Sequence, residues 1–556
     1  FIMNLSWNIA PSFLTKPIVC ILLTETAERF AYYGFRAILV LYFTQKLKFK
    51  DDDAIALYSF MTSLAYGTPL LGAIIADAYL GKYLTILYFG SAYAIGMVML
   101  TIGAYIDEEV SRDQKKLLTF AGLIFICFGT GGIKPCVSAF GADQITGIDD
   151  KEDNVEEIET TKSDTSTGDK SHLLSINKDE NDITLVASPE NDPGGSKEKN
   201  MREFFAYFYF GINFGSVFSY ILIPIVRARE GFGSAFLLPT IFLFVAILIF
   251  FSGRRDYIEN NSRGRVRTQY SDENNIWVTC KLLMHLVRKN VVLILSTVLL
   301  KCGYSRRSVM RMHENHPLEQ SQHSLPHSSH NISSGVPNYS QEQIEDASQI
   351  INIMPILSFF SIFWMLYDQS SSVWILQANR MDLHGLQPEQ LHVVNPILIM
   401  ILIPTFDKQI YPCLEHYQWK ITYTGRVGCG MILCAISFII SGWLEITISS
   451  STEKVNVFWQ LPQITVLSIA EILVSITGLE FAYANSPKSM KSLVMALYLI
   501  MTSVGDLIGG LLYSTVFQGL SSSSAMFICA MIMILNYLVF TCVSKRWSSN
   551  KDKNCQ

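Results

Sequence analysis

At residues 25–36 the chain reads Glu25-Thr-Ala-Glu28-Arg29-Phe-Ala-Tyr32-Tyr33-Gly-Phe-Arg36, inside an apolar run from about Pro17 to Phe43. A run of this length can cross a bilayer, because roughly 20 residues suffice for a transmembrane helix. At 100° per residue, the polar side chains fall on one face of that helix: Glu25, Glu28, Arg29, Tyr32, Tyr33 and Arg36. The opposite face, which we expect to meet lipid, carries Ile21, Leu23, Ala27 and Ile38.

Four charges on one spanning helix decide how this stretch is interpreted. Each charge at the centre of a membrane costs about 2.5–3.5 kcal/mol even on insertion scales, so the four need partners or a water-filled cavity. Arg29 can neutralise Glu25 one turn away, which leaves an internally paired structural helix as one reading. We favour the other reading, a titratable transport path.

The composition is that of a protein with many membrane spans. Of the 556 residues, 50% are hydrophobic and only 16% are charged, which excludes an ordinary water-soluble enzyme. No soluble segment is large and apolar enough for a catalytic domain, so we expect no enzyme. The cysteines suggest neither a disulfide framework nor a metal site, and we expect no metal and no cofactor.

Apolar runs long enough to span a membrane recur along the whole chain. Twelve can be drawn, at about 17–44, 56–78, 83–106, 115–140, 203–226, 232–252, 348–367, 391–413, 423–443, 456–481, 491–517 and 522–543. A long polar segment separates the first six from the last six. The sequence therefore predicts an all-α membrane protein with twelve transmembrane helices in two six-helix halves and a site between the halves at the midplane.

Basic residues in the short loops predict that both chain ends and the central linker are cytoplasmic, although Arg227 and Arg229 lie on the opposite side. The predicted organisation is transmembrane helices 1–4 (1–145), a disordered acidic cytoplasmic insert (146–202), transmembrane helices 5–6 (203–252), a cytoplasmic linker with an amphipathic helix (253–347), transmembrane helices 7–12 (348–543) and a cytoplasmic tail (544–556).

The two inserts carry weaker signals. Within the acidic insert, Asp169-Lys-Ser-His-Leu173-Leu174 has the spacing that sorting adaptors recognise. Short patterns of this kind arise by chance, so an adaptor site is the alternative to a chance match. In the linker, residues 276–302 predict an interfacial helix. The histidine-rich stretch 313–330 reads as a disordered linker, with metal binding as the alternative.

Further charges inside apolar runs extend the candidate site. Lys134 lies between the glycines of Gly129-Thr-Gly131-Gly132 and Pro135, where close helix packing and a weakened helix are expected. Asp368 follows Trp364 by one turn, and Glu471 precedes Ser475 by one turn. Arg36 and Lys134 in one half and Asp368 and Glu471 in the other could form ion pairs that close and open, and when separated could bind the two ends of a zwitterion.

Several motifs together resemble the proton-dependent oligopeptide transporter family. The motifs are Glu25-x-x-Glu28-Arg29-Phe30-x-Tyr32-Tyr33-Gly34, the stretch Gly129 to Gln144 around Lys134-Pro135, Phe204-Phe205…Phe208-Tyr209-Phe210-x-Ile-Asn213-x-Gly215-Ser216, Phe363-Trp364-x-x-x-Asp368-Gln369, Asn395-Pro396, and Glu471 to Tyr483 followed by Pro487-Lys-Ser-Met-Lys491-Ser. The motifs occur in the family's order, and the resemblance extends over the whole chain except the two inserts. The resemblance implies the major facilitator fold, alternating access and symport of di- and tripeptides with protons.

The resemblance also implies roles for single residues. The proton-coupling cluster would be Glu25, Glu28 and Arg29. The peptide's carboxylate would approach Arg36 and Lys134, and its amino end Asn213, Asn395 and Glu471. The pocket would be lined by Tyr32, Tyr33, Tyr66, Trp364 and Ser475. The outer gate pairs would be Arg36–Asp368 and Lys134–Glu471. Where animal members have a second-span histidine, this chain has Ser59, so proton handling would rest more on the carboxylates. Where they have a seventh-span arginine, it has Asn352, so Asp368 would depend more on Arg36.

Two other functions stay open at this stage. A carrier of the same family for another small solute, such as nitrate, an amino acid or a peptide-like compound, is disfavoured but not excluded by the paired glutamates. A ligand-sensing membrane scaffold has only the dileucine-bearing insert in its support. We expect a monomer in contact with membrane lipid, without nucleic acid, in the plasma membrane rather than an endolysosomal membrane.

Overall fold

The computed structural model describes residues 14–106, 112–163, 193–258, 341–416, 422–487 and 491–554. In this part of the chain the backbone is almost entirely helical, and its only β feature is an isolated bridge between Asp382 and Asn456. Several predictions lie outside the described residues: the Leu173-Leu174 motif, the interfacial helix at 276–302 and the histidine-rich tract.

The helices are α1 (Lys16–Leu41), α2 (Asp51–Gly67), α3 (Pro69–Ile75), α4 (Lys82–Tyr105), α5 (Arg112–Ser163), α6 (Pro193–Ser252), α7 (Gln341–Ser358), α8 (Phe360–Gln369), α9 (Val373–Ala378), α10 (Val394–Thr405), α11 (Tyr411–His416), α12 (Tyr423–Ser450), α13 (Leu461–Glu471), α14 (Thr477–Ala484), α15 (Lys491–Thr515) and α16 (Ser522–Asn554). Short π-helical segments follow α1, α3, α10 and α13, at Tyr42–Lys46, Ala76–Leu80, Phe406–Ile410 and Ile472–Ile476, and 3₁₀ turns lie at Pro388–Val393 and Val457–Gln460.

The predicted spans coincide with these helices. Ten stretches of the described chain are helical, long and apolar enough to cross a membrane. One of them, Glu203–Ser252, is twice the required length, and it is interrupted at Gly231, where φ is 86°. Because only glycine adopts this conformation readily, Gly231 separates the fifth predicted span from the sixth. The charged helix α1 is not among the ten.

Local sequence explains where several helices begin and end. Pro17 stands in the first turn of α1, where its missing N–H costs nothing. Asp51, Asp52 and Asp53 occupy the first turn of α2, where acidic side chains favour the positive end of the helix dipole. Gly81 has φ of 77° and turns the chain into α4.

The expected lipid-facing side of α1 is one point where the prediction was wrong. Leu23 is 51% exposed, but Ile21 and Ile38 are fully buried and Ala27 is 9% exposed. The reason is that α1 packs along α6, where a Cβ added to Gly215 would lie 2.5 Å from the Thr26 carbonyl oxygen. Other helices therefore cover most of this side of α1, Leu23 stays exposed, and the charged side chains of the helix are enclosed by protein.

The acidic insert differs from expectation at its two ends. Helix α5 continues to Ser163, and α6 begins at Pro193, so the backbone is helical where a disordered insert was predicted to start and finish. Extending an existing helix costs little, because each added residue contributes one hydrogen bond without a new nucleus. Residues 164–192 lie outside the described residues.

The described backbone groups into two compact units. The larger comprises the described residues of Phe1–Asn260, Ser358–Leu479 and Ala496–Gln556, and the smaller comprises those of Asn261–Leu357 and Glu480–Met495. Within the larger unit α1 packs on α6, α4 packs on α5, and α12 packs on both α13 and α16. All the candidate site residues described below belong to the larger unit.

Candidate functional site

The charged face of α1 forms a buried ion cluster. Arg29 Nε lies 3.0 Å from Glu25 Oε1, and Arg29 Nη2 lies 2.6 Å from Glu28 Oε2. The three side chains are between 2% and 8% exposed. One guanidinium thus faces two carboxylates, which leaves the cluster one negative charge in excess when all three groups are ionised. Binding of a single proton would remove that excess.

A small cavity borders the same carboxylates. Its volume is about 20 Å³, and its lining includes Thr24, Glu25 and Glu28 on α1 together with Ile133 and Val137 on α5. Only apolar atoms of the lining face this space, so the cavity separates the carboxylates from neighbouring helices without offering a bound water polar partners.

A second ion pair links α1 to α8. Arg36 Nη2 lies 2.5 Å from Asp368 Oδ1, and Arg36 Nε donates a hydrogen bond to the Tyr58 hydroxyl at 2.5 Å. Both charged side chains are at most 7% exposed. The structure therefore brings together the two residues of the first predicted gate pair, while their role as a gate stays a prediction.

Lys134 does not contact Glu471, its partner in the second predicted pair. The Lys134 Nζ lies 4.2 Å from the Tyr32 ring centroid and 4.1 Å from that of Tyr66, and it has no hydrogen-bond acceptor in the described part of the chain. Aromatic faces attract an ammonium group, which explains how the cation is held there. Pairing of Lys134 with Glu471 as a gate stays a prediction.

Close packing of α5 positions Lys134. A Cβ added to Gly131 would lie 2.2 Å from Thr68 Oγ1, and one added to Gly132 would lie 2.1 Å from the Phe89 ring. Small residues are thus required where α5 meets its neighbours, as the glycine-rich sequence predicts. The helix runs on through Pro135.

Glu471 is instead held by polar side chains. Asn395 Nδ2 donates to Glu471 Oε2 at 2.9 Å and to Ser468 Oγ at 3.1 Å, and Tyr367 also hydrogen-bonds the carboxylate. Asn395 and Glu471, both predicted to approach a peptide's amino end, are therefore neighbours. No cation lies within ion-pair distance of Glu471 among the described residues.

The other predicted pocket residues are distributed around these groups. Tyr33 lies against Tyr220, and Trp364 packs edge-on against Tyr367. Asn213 donates to the carbonyl of Tyr209 within its own helix, at 2.9 Å. The Ser475 carbonyl accepts from the Tyr498 hydroxyl at 3.2 Å, in the π-helical segment that follows Glu471.

Sequence reasoning missed two charged residues. Arg227, which had counted only against the predicted orientation, binds Glu389 through Nε–Oε1 at 2.5 Å and Nη2–Oε2 at 3.2 Å, and it binds Gln387 at 2.9 Å. Asp506 is 2% exposed within α15. The signal was present in both cases, since each charge stands in or beside an apolar run.

Comparison with known protein families decides the family. The model described as PTR2, POT family, matches residues 83–527 of this chain. The chain belongs to the POT family. It is accordingly a multi-pass membrane protein, as its helices also indicate.

Individual relatives of this POT family member fall into two groups by length. It is 31% identical over 441 residues to Peptide transporter 3 of Caenorhabditis elegans, covering 77% of this chain and 50% of the relative. It is 27% identical over 534 residues to Protein NRT1/PTR FAMILY 8.5 of Arabidopsis thaliana, covering 89% and 81%. The chain thus spans about half the length of the animal relatives it matches and most of the plant one.

Solved structures agree on the fold. The in meso crystal structure of the POT family transporter PepTSo superposes with a TM-score of 0.67 at 26% identity, covering 96% of this chain and 98% of that one. The all-α membrane fold predicted from the sequence, the major facilitator fold, is therefore confirmed for this POT family member.

Proposed function

We propose that this POT family member is a proton-coupled symporter of di- and tripeptides that works by alternating access. Family membership and the printed name of the nematode relative support peptides as the substrate class. The charged groups of the site support protons as the coupling ion, and they support a substrate with a carboxylate at one end and an ammonium group at the other.

The observation that carries the proposal is the Lys134 ammonium, which has three N–H donors and no acceptor among the described residues. A ligand carboxylate would supply acceptors at this point. Arg36, already near Tyr32 with Lys134, adds a second cation for the same carboxylate. At the other end, the Glu471 carboxylate with Asn395 suits a ligand's ammonium group. A zwitterion with separated ends fits these two groups of residues.

Alternating access is supported by the ion pairs that tie distant parts of the chain together. Arg36 and Arg227 precede residue 258, whereas their partners Asp368 and Glu389 follow residue 341. Both pairs are largely buried, so separation of the helices requires new partners or water for each charge. A substrate carboxylate or a proton can compensate such a charge, which would couple binding to helix movement.

Proton coupling is assigned to Glu25, Glu28 and Arg29. Neutralisation of one carboxylate removes part of the attraction on Arg29 and so changes the balance between two arrangements of the site. Uptake of a labelled dipeptide into proteoliposomes, with and without an inward proton gradient, tests the proposal. Accumulation above the outside concentration only with the gradient supports it, and equal uptake in both conditions contradicts the coupling.

One observation favours a second candidate, a carrier of a small anion such as nitrate. The buried Lys134 ammonium has no hydrogen-bond acceptor among the described residues, and its N–H donors suit an inorganic anion as well as a peptide carboxylate. The long match to a plant protein of the NRT1/PTR family is in line with this alternative. Nitrate added as a competitor in the same uptake assay separates the two, because a nitrate carrier is inhibited by nitrate and shows no dipeptide accumulation.

A further inference from the structure

Asp506 is a buried acidic side chain that the proposed mechanism does not use. It lies in the second half of α15 (Lys491–Thr515), a largely apolar helix, and is 2% exposed. A charged carboxylate in such a position is costly unless a cation or a proton accompanies it.

Close packing places Asp506 between two other helices. A Cβ added to Gly505 would lie 2.2 Å from the carbonyl oxygen of Ser361, so the α15 backbone approaches α8 (Phe360–Gln369) directly. On another side, Ser63 of α2 and Ser503 donate to each other's carbonyl oxygens at 2.8 and 2.7 Å. These contacts define the position of the α15 backbone one turn before Asp506.

The Asp506 carboxyl group meets the carboxyl group of Asp368. The two side chains lie within hydrogen-bonding reach of each other, and Asp506 also lies within reach of the Thr62 hydroxyl, which donates to the Ser59 carbonyl at 3.0 Å. In the described residues no N–H or O–H group donates to Oδ2 of either Asp368 or Asp506, and both atoms are buried. Two ionised carboxylates offer only acceptors, so a hydrogen bond between them requires a proton on one oxygen.

The charges around the two aspartates also indicate that one of the carboxyl groups carries a proton. Arg36 is the cation in contact with the pair, through Asp368 Oδ1, and it compensates one negative charge. The other charged or titratable groups that interact electrostatically with the pair are Lys134, Glu471, Tyr32, Tyr58, Tyr66 and Tyr367. Lys134 lies on the rings of Tyr32 and Tyr66 and makes no ion pair with either aspartate, so no described residue supplies a cation to the second carboxyl.

We propose that Asp506 is a further proton-binding residue, and that Asp506 and Asp368 share one proton while Arg36 binds Asp368. Its part in transport rests on the function proposed above. When the Arg36 guanidinium leaves Asp368, the pair loses the one cation that contacts it among the described residues, and a proton from the adjoining solution forms an O–H bond on the Asp368 carboxylate. When Arg36 returns, that O–H bond breaks and the proton leaves to water, so each opening of the ion pair takes up one proton and each closing releases it.

Infrared spectroscopy of the purified full-length protein at neutral pH tests the shared proton without any transport assay. Protonated carboxyl groups absorb in a carbonyl region separate from carboxylates, and the band shifts in deuterated water. We expect Asp506→Asn to lose one such band, because its amide can still donate to Asp368 but carries no titratable proton. Asp113→Asn removes an exposed carboxylate on α5 and should leave the band unchanged.

An Asp506→Asn spectrum with the full protonated-carboxyl band would overturn the proposal. If that variant does not fold, Asp506→Glu retains the titratable group in a changed geometry: a displaced band supports the proposal, and an unchanged band contradicts it. If Asp506→Asn loses the band but the wild-type protein accumulates no dipeptide, the proton site stands and the peptide function is refuted, so the two failures are distinguishable.

Discussion

Arg227 and Glu389 form a bidentate ion pair, with Nε–Oε1 at 2.5 Å and Nη2–Oε2 at 3.2 Å, in which the carboxylate is fully buried and the guanidinium is 10% exposed. The partners are 162 residues apart, one on α6 and one in the 3₁₀ turn before α10. Because bidentate geometry and burial both strengthen such a pair, it is a specific connection between early and late parts of the chain.

The first prediction follows from the burial of this pair. Glu389→Leu leaves Arg227 without its partner, and we expect the free energy of unfolding to fall by about 3–5 kcal/mol. Thermal unfolding in detergent should show a clearly lower midpoint. The double variant Arg227→Met/Glu389→Leu should recover most of the loss, because it leaves no unpaired charge.

An exposed ion pair provides the matched control for that experiment. Lys16 Nζ lies 2.7 Å from Asp256 Oδ2, but the side chains are 67% and 41% exposed. Water and salt screen such a pair, so Lys16→Met should leave the midpoint almost unchanged. Equal losses for Lys16→Met and Glu389→Leu would show that burial of the second pair contributes nothing.

The second prediction concerns the charge of the ligand. If Lys134 and Arg36 bind a carboxylate while Glu471 binds an ammonium, a dipeptide with both ends free should compete well for uptake. Analogues amidated at the carboxyl end or acetylated at the amino end should compete far worse. The amidated analogue should lose about 1.5–3 kcal/mol, the contribution of a hydrogen bond to a charged group.

Lys134→Met is the variant that locates this effect. Removal of the ammonium should abolish most of the difference between the free and the amidated dipeptide, while the acetylated analogue remains a poor competitor. Inhibition constants for the three ligands, measured with the wild type and with the variant, give the free energy of interaction between Lys134 and the ligand's carboxyl end. An unchanged preference for the free carboxyl end in Lys134→Met would place the carboxylate elsewhere.

The third prediction separates the residues that couple transport to the proton gradient from those that bind the peptide. Glu28 contacts Arg29 and belongs to the cluster that carries an excess negative charge, so Glu28→Gln removes a proton-binding group without removing a predicted ligand contact. We expect this variant to lose gradient-driven accumulation of dipeptide and to retain exchange measured without a pH difference. Lys134→Ala and Glu471→Ala should impair both assays, since they remove ligand contacts. Continued accumulation by Glu28→Gln against the peptide gradient would move the proton path to other residues.

The fourth prediction concerns topology. Asn260, Asn331 and Asn338 each begin an Asn-x-Ser sequence, in the linker predicted to be cytoplasmic. We expect no glycan on any of them, seen as unchanged gel mobility after glycosidase treatment. An acceptor sequence inserted after the exposed His384, in a loop predicted to lie outside, is the positive control. Glycan on a linker asparagine would reverse the predicted orientation.

The sequence alone determined the helical architecture and the composition of the site on α1. Apolar runs of about 20 residues predict spans because backbone polar groups in lipid must be satisfied within a helix. The 3.6-residue period likewise placed Glu25, Glu28 and Arg29 on one face, and the pairing of Arg29 with Glu25 follows from their spacing. These features depend on neighbours within a few turns, which the linear order contains.

The tertiary structure alone decided which distant residues meet. It placed Lys134 on the rings of Tyr32 and Tyr66 without a contact to Glu471, and it joined Arg227 to Glu389 and Asp506 to Asp368. It also buried Ile21, Ala27 and Ile38, which were expected to meet lipid, and left Leu23 exposed. Periodicity defines a face of a helix but not the helix packed against it. That choice depends on contacts over hundreds of residues, where small residues such as Gly505 permit one approach and larger ones exclude others.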